Sequence, residues 1–393
     1  MTFPTKATHQ QTRAYNVALV LRALYDIGPI SRAEVARLSG LTRTTVGDVV
    51  AELIAEGLAR EVGRGPSTGG KAPILVELVD DARHVIGLDL GEFRFRAAIL
   101  DLRGRVLETR EREVTGLNGE EALNVVHELI DELKTRTPGT LLGIGVGTPG
   151  VVDASTGTIR WAVNLDWQEL PLGRLLRDRH AVPVEVANDS RAAALALQLF
   201  GGAPTTNLVA IKVGRGIGAG VVLGGELFHG DGFGAGEIGH TVVEVDGARC
   251  RCGQFGCLET VASARAIVER ATELAREGDA AAPDRTLDDV REALEAGDEP
   301  IRRLVVSAGR SLGQVIAGMI GLLDVERIVL HGSVTSLGQP WLEAVRDEAR
   351  RRSLGLLSRN VAIELAPPPG DDLVVMGASA LLLTAELGLA VSR

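Results

Sequence analysis

The hydrophobic rhythm of the chain changes near residue 80. Ahead of that point apolar residues recur at helical spacing. Val17, Val20, Leu21 and Leu24 stand at i, i+3, i+4 and i+7, one inward stripe of a first helix that Gly28-Pro29 ends. Ser31 opens a second helix with Glu34 three positions on, the spacing of a capping box that satisfies two orphan backbone donors. Val35, Ala36 and Leu38 are its inward residues, and Gly40 is its stop. A third helix begins near Thr42 and buries Val46, Val49, Val50, Leu53 and Ile54. Two short apolar stretches then flank Arg64-Gly65-Pro66-Ser67-Thr68-Gly69-Gly70-Lys71, the pattern of a flexible cationic hairpin. Helix, helix, glycine turn, helix and hairpin is the order of a winged helix-turn-helix. The third helix starts with Thr42, Arg43, Thr44 and Thr45, which offer hydroxyls and a guanidinium to phosphates and base edges in a major groove. Arg64 and Lys71 on the hairpin suit a minor groove or the backbone of double-stranded DNA.

From Val85 the pattern becomes apolar strands joined by glycine turns, with helices between. Residues 85–90, 93–100 and 106–113 alternate as a meander, followed by a helix over 120–134. A buried strand over 141–146 runs into Gly147-Thr148-Pro149-Gly150, and further strands are expected near 182–187, 208–213 and 218–223. Long helices fall near 261–276 and 301–323. This alternation predicts α/β layers and two units, a DNA-binding domain over 1–79 and an effector-binding domain over 80–393. No repeat period is visible.

Charge sharpens that division. The net charge of −10 excludes a generic nucleic-acid coat, but residues 1–79 carry nine Lys or Arg against seven Asp or Glu, so the remainder holds −12. A slightly cationic head on an acidic body fits a local DNA contact. The polar start and the lack of an apolar run near the roughly 18 residues of a membrane span lead to an expected cytoplasmic location.

All three cysteines lie within eight residues, Cys250-Arg251-Cys252-Gly253-Gln254-Phe255-Gly256-Cys257, which excludes a secreted disulfide framework. His240 precedes them by ten positions. One imidazole and three thiolates complete the tetrahedral set of a structural zinc, one per chain. Carboxylates and an amide gather near this segment: Glu237 before His240, Glu259 after Cys257, and Asn188-Asp189 at the end of a strand. Such groups bond adjacent hydroxyls of a polyhydroxylated ligand, and an Asp at a helix head is also placed to act as a general base toward a primary hydroxyl. Two glycine-rich turns, Asp89-Leu90-Gly91 and Gly214-Arg215-Gly216-Ile217-Gly218-Ala219-Gly220, have the composition of phosphate-binding loops.

Gly236-Glu237-Ile238-Gly239-His240 followed by Cys-x-Cys-Gly-x-x-Gly-Cys-x-Glu ending at Glu259 resembles the signature of the ROK family, which groups sugar-responsive repressors with bacterial sugar kinases. The N-terminal segment is similar to that of the repressor branch at Asn16, Ser31-Arg32-Ala33-Glu34, Gly40-Leu41-Thr42 and Ser67 to Lys71. The resemblance implies a two-lobed actin-like (sugar kinase/ribonuclease H-like) fold behind the winged head. It implies a monosaccharide held by Asn188, Asp189, Glu237, His240 and Glu259, with Asn164 of the Asn164-Leu165-Asp166-Trp167 stretch nearby. It also implies a homodimer or homotetramer, which would read an inverted-repeat operator.

Departures from the kinase pattern set the expected function. The family kinases carry Asp-x-Gly-Gly-Thr in their first phosphate loop, where this chain has Asp89-Leu90-Gly91-Glu92-Phe93, and Gly-Thr-Gly in the second, here Gly214-Arg215-Gly216. A third glycine turn on the adenosine side reads His331-Gly332-Ser333. A carboxylate about 4 Å from a phosphate charge costs about 4 kcal/mol at an effective dielectric near 20, roughly three decades of affinity. Arg215 acts in the opposite direction, because it can pair with a phosphate. The expectation is a sugar-responsive repressor with no catalytic residue, Asp189 being a vestigial base. The alternative is an ATP-dependent ROK sugar kinase with a DNA-binding appendage, and a third reading is an interaction module braced by zinc.

Overall fold

The computed structural model of the chain describes residues 9–66, 72–91, 93–201, 206–367 and 370–389. Its head is built from α1 (His9–Ile27), β1 (Ile30–Ser31), α2 (Arg32–Ser39), α3 (Arg43–Ala55), β2 (Ala59–Arg64) and β3 (Ile74–Leu78), with the strands ordered β1-β3-β2. Local chemistry sets the boundaries. The Ser31 hydroxyl accepts the Glu34 N–H at 3.2 Å, Gly40 ends α2 in the left-handed conformation (φ 70°), and Thr42 caps α3 by accepting the Thr45 N–H at 3.1 Å. Two local expectations need correction. The Glu34 carboxylate turns to Arg37 (Nε–Oε2 3.0 Å) instead of closing a capping box, and Leu38 is exposed because α2 buries only Val35 and Ala36. A charged partner one turn on outcompetes the backbone N–H for an exposed carboxylate.

The first lobe holds β4 (His84–Leu90), β5 (Arg94–Leu100), β6 (Val106–Glu113), α4 (Gly119–Arg136), β7 (Leu141–Thr148), β8 (Val151–Asp153), β9 (Thr158–Ala162), β10 (Trp167–Leu170), α5 (Leu172–His180) and β11 (Val184–Asn188). Its main sheet has the order β11-β7-β4-β5-β6, an antiparallel meander extended by two parallel strands. Strands β8 to β10 form a separate small sheet over it that periodicity did not reveal.

Helix α6 (Asp189–Phe200) leads into the second lobe, which contains β12 (Leu208–Val213), β13 (Ile217–Leu223), β14 (Glu226–Leu227), α7 (Glu259–Ala262), α8 (Ala264–Gly278), α9 (Leu287–Glu295), α10 (Glu299–Leu323), β15 (Arg327–His331), α11 (Gln339–Arg352), α12 (Gly355–Ser358) and β16 (Ala362–Leu365). Its sheet order is β14-β13-β12-β15-β16. The helix expected over 261–276 is two helices, because Ser263 leaves the helical conformation and caps α8 by accepting the Ala266 N–H. Helix α10 is long and apolar enough to cross a membrane, yet Val305, Leu312 and Ile316 are wholly buried in the second-lobe core.

The last helix, α13 (Leu373–Leu387), returns to the first lobe and packs on α6, β4 and β7. Glycines make this approach possible: a Cβ at Gly145 would lie 1.9 Å from the Ala378 carbonyl oxygen, and one at Gly377 would lie 1.7 Å from that of Ala192. At its far end Leu382, Leu383 and Leu389 enter one hydrophobic core with Val20, Leu24, Val50 and Leu53 of the head. Arg103 adds a polar tie, stacking 4.3 Å from the Tyr25 ring centroid and pairing with Asp80 at 2.8 Å.

Candidate functional site

On the head, α3 presents Thr42, Arg43 and Thr44 to solvent, with Thr45 half-buried, and Arg64 is exposed at the end of β2. Lys71 and the rest of the hairpin tip, Ser67 to Gly70, lie outside the described residues.

The metal cluster grows from a segment with little regular structure. Isolated bridges Val242–Cys257 and Arg249–Phe255 fold 241–258 back on itself, and Gly256 lets the chain cross, since a Cβ there would sit 1.6 Å from the Glu244 carbonyl oxygen. One ligand atom from each of His240, Cys250, Cys252 and Cys257 lies within 4.8 Å of all the others. The His240 Nδ1–Cys250 Sγ separation is 3.6 Å and Cys252 Sγ–Cys257 Sγ is 3.7 Å, the spacing of ligands around one tetrahedral ion. The cluster can hold a metal ion. Burial pushes the Cys257 thiol up to about 12, with the neighbouring thiols adding to it, so a bound cation is what would make this sulfur a thiolate at neutral pH. The other ring nitrogen of His240 faces Glu237 (Nε2–Oε2 4.0 Å), which joins the cluster to the cleft.

Between the lobes, β11 ends at Asn188, which caps α6: its Oδ1 accepts the Ser190 and Arg191 N–H groups at 3.0 and 3.4 Å, and its Nδ2 donates to the Gly150 carbonyl at 3.0 Å. One amide hydrogen of Asn188 therefore remains for a ligand. Asp189 is buried; its Oδ1 accepts from the Ser190 N–H at 2.7 Å and its Oδ2 from Lys212 Nζ at 2.7 Å. Burial raises Glu237, His240 opposes this, and Asp189 and Glu259 raise it further, which places three carboxyl groups within electrostatic reach of one another. Glu259 accepts the Ile217 N–H at 3.3 Å from the second glycine turn. Asn164 sits in a short turn of the first lobe, where its Oδ1 accepts from Arg251 of the metal segment at 3.2 Å.

Sequence reasoning missed Lys212, although a lone Lys in the apolar run Leu208-Val209-Ala210-Ile211-Lys212-Val213 was a signal. Around it stand the buried His331 and the half-buried Asp89, which the sequence showed only as members of glycine turns. Burial pushes His331 down to about 3, assisted by Lys212, and raises Asp89 to about 6 with Lys212 opposing. The two glycine turns meet each other: Arg215 lies 4.9 Å from the Phe93 ring centroid. Glu92 lies outside the described residues.

A family model described as the ROK family matches residues 85–385. The chain belongs to the ROK family. A xylose repressor from Caldicellulosiruptor bescii is 30% identical over 392 residues, 96% of this chain and 97% of that protein. A solved ROK family transcriptional regulator, a homologue of the E. coli MLC protein, superposes with a TM-score of 0.84 at 26% identity, covering 96% of this chain and 98% of that one. A ROK family glucokinase from Streptomyces griseus, solved with glucose and AMPPNP, gives a TM-score of 0.68 at 28% identity over 99% of its own chain and 76% of this one. The kinase match leaves out about a quarter of this chain, and the family model starts behind the head. This ROK protein is a transcriptional regulator.

Proposed function

We propose that this regulator is a DNA-binding repressor of carbohydrate-metabolism genes whose operator affinity is set by a monosaccharide held between the lobes without phosphorylation. The observation that carries the reading is the continuity of the molecule from cleft to head. Asp189 opens α6, α6 packs on α13, and α13 ends in the hydrophobic core that also holds α1 and α3. A ligand bridging Asn188 and Asp189 on one side and Glu237, His240 and Glu259 on the other favours a closed lobe arrangement, and α13 carries that movement to the head. Asn164 closes the rim through Arg251. Residues 1–79 would be the DNA-binding domain, with Thr42, Arg43, Thr44 and Thr45 in the major groove and Arg64 and Lys71 on the backbone or minor groove.

His240, Cys250, Cys252 and Cys257 would hold one structural zinc, which supplies rigidity to the wall bearing Glu237 and no chemistry. Asp189 Oδ2 already accepts from the Lys212 ammonium at 2.7 Å, so the carboxylate is engaged by the protein's own side chain. A dimer or tetramer acting in the cytoplasm on an inverted-repeat operator completes the reading.

The test begins with sequences selected by the protein from a random duplex pool, followed by binding titrations with D-xylose, D-glucose and N-acetyl-D-glucosamine. The expected coupling is about 5–150-fold in DNA affinity for one sugar. Asp189→Ala and Glu259→Ala remove the response, and Arg43→Ala relaxes base choice by about 1–3 kcal/mol. ATP-dependent sugar phosphorylation at about 1 per second, or DNA binding indifferent to every sugar, would overturn the assignment.

A further inference from the structure

Arg191 stands two residues after Asp189 on α6 and is only 2% exposed, one of the largest fully buried side chains among the described residues. A buried guanidinium normally faces a carboxylate. This one instead meets backbone: its Nη2 donates to the carbonyl oxygens of Phe233, Ala235 (3.0 Å) and His229 (3.5 Å). All three belong to the loop that follows β14 and leads into Glu237 and His240. The loop has no regular secondary structure. Inside it Ala235 N–H bonds to the His229 carbonyl (3.2 Å), Phe233 N–H to that of Gly230 (3.4 Å), Glu237 N–H to that of Gly234 (3.4 Å), and the His229 and Phe233 rings meet edge to face (centroids 6.3 Å apart), while Phe233 adopts a left-handed backbone (φ 57°) that surrounding contacts must enforce. Burial lowers the Arg191 pKa, with Glu237 opposing, so the charge sits near the acidic wall.

We propose that Arg191 is a positioning residue: a clip that ties the loop of residues 229–235 to α6 and so sets the spacing between Asp189 on the helix and Glu237 beyond the loop. This deepens the sugar-binding reading of the cleft and rests on it for its effect on ligand affinity. The geometry explains why an arginine stands here. The two hydrogens of Nη2 are shared among three carbonyls, His229 being the most distant, and they reach them from the end of a side chain one bond longer than that of a lysine. Leaving those carbonyls without their donor in a half-buried loop frees the loop and loosens the wall.

The experiment compares wild type, Arg191→Met and Arg191→Lys by calorimetry with D-xylose, D-glucose and N-acetyl-D-glucosamine, and by hydrogen–deuterium exchange over residues 229–240. Leu312→Ala in the second-lobe core serves as a stability control, expected to lower Tm without changing sugar affinity. Arg191→Met should weaken the bound sugar by about ten- to a hundredfold and raise exchange within 229–237, and Arg191→Lys should fall between it and wild type. Unchanged exchange and unchanged affinity in Arg191→Met would overturn the proposal, as would an affinity loss matched by Leu312→Ala at equal loss of Tm. If Arg191→Met does not fold, faster exchange confined to 229–237 in Arg191→Lys supports the clip and an unaltered pattern rejects it. If wild type binds none of the three sugars, the sugar reading fails, while the exchange comparison still decides whether Arg191 holds the loop.

Discussion

The two lobes share one strand plan and differ in how they finish it. In each, a first strand pairs antiparallel with a second, which pairs with a third, and parallel with a fourth, which pairs with a fifth: β4-β5-β6 with β7 and β11, and β12-β13-β14 with β15 and β16. The first strands end alike, Asp89-Leu90-Gly91 and Lys212-Val213-Gly214, with opposite charges at the matching position. Across the junction Lys212 pairs with Asp189, and Arg215 of one turn stacks on Phe93 of the other. The two glycine turns are thus joined to each other. The third strands differ most. In the first lobe β6 runs for 8 residues and pairs along its length, whereas β14 has only 2, and the chain beyond it carries the clipped loop and the metal cluster. Val245 is 88% exposed and Phe255 56%, so this segment has little apolar core of its own. A lobe completed by a strand is held by its ladder; one completed by a loop would be braced instead by the metal and the buried arginine proposed above.

The largest difference between the lobes should appear at the metal. Cys257→Ser should reduce bound zinc from about one per chain to none and destabilise the second lobe by several kcal/mol, with the first-lobe sheet retaining its exchange protection. Elemental analysis and exchange mapping measure this, and a zinc-free variant with wild-type Tm would show that the loop stands without metal.

Next in size is the charge pair across the lobes. Lys212→Met leaves Asp189 buried without its cation and should lower stability by roughly 3 kcal/mol, read from urea denaturation. Restoration by Asp189→Asn in the same chain would show that the charge, and not the lysine stem, is what matters.

Acid should loosen the fold by a smaller amount. His180 and His331 are pushed down by burial to about 4 and about 3, while their unfolded values lie near 6.5, so the unfolded chain binds their protons first as pH falls below that value. Asp89 is raised to about 6 and works the other way, the folded state holding its proton between about pH 4 and 6. Two of these groups against one give a combined uptake of about one proton on unfolding near pH 5. Their joint contribution to stability should therefore drop by about 1.4 kcal/mol per pH unit there. Replacing His180 with Asn should flatten that slope in pH-dependent melts.

The smallest effect belongs to the stacked turns. Arg215→Ala should change stability by only about 0.5–1 kcal/mol, the size of a partly exposed cation–π contact. A shift several times larger would mean that this contact latches the lobes.

What the chain declared by itself was local. Ser31, Gly40 and Thr42 mark helix ends because a cap depends on residues within one turn, and the buried stripes of α1 and α3 follow from a period of 3.6. The metal set was legible for a similar reason: His240 and three cysteines within eighteen positions are brought together by tight turns alone. Strand β4, its meander and the α/β alternation were readable from apolar runs and glycine turns, whereas the small sheet of β8 to β10 was not, since strands of three to five residues leave too short a pattern. The likeness of the two lobes left no trace either, because many apolar residues satisfy the same strand position. Only the folded chain decided that Leu38 faces water, that Glu34 takes Arg37, that Lys212 meets Asp189, and that Arg191 reaches carbonyls 38 to 44 positions away. Those outcomes depend on which surfaces are buried against each other, and burial is a property of the assembled structure that no window of sequence contains.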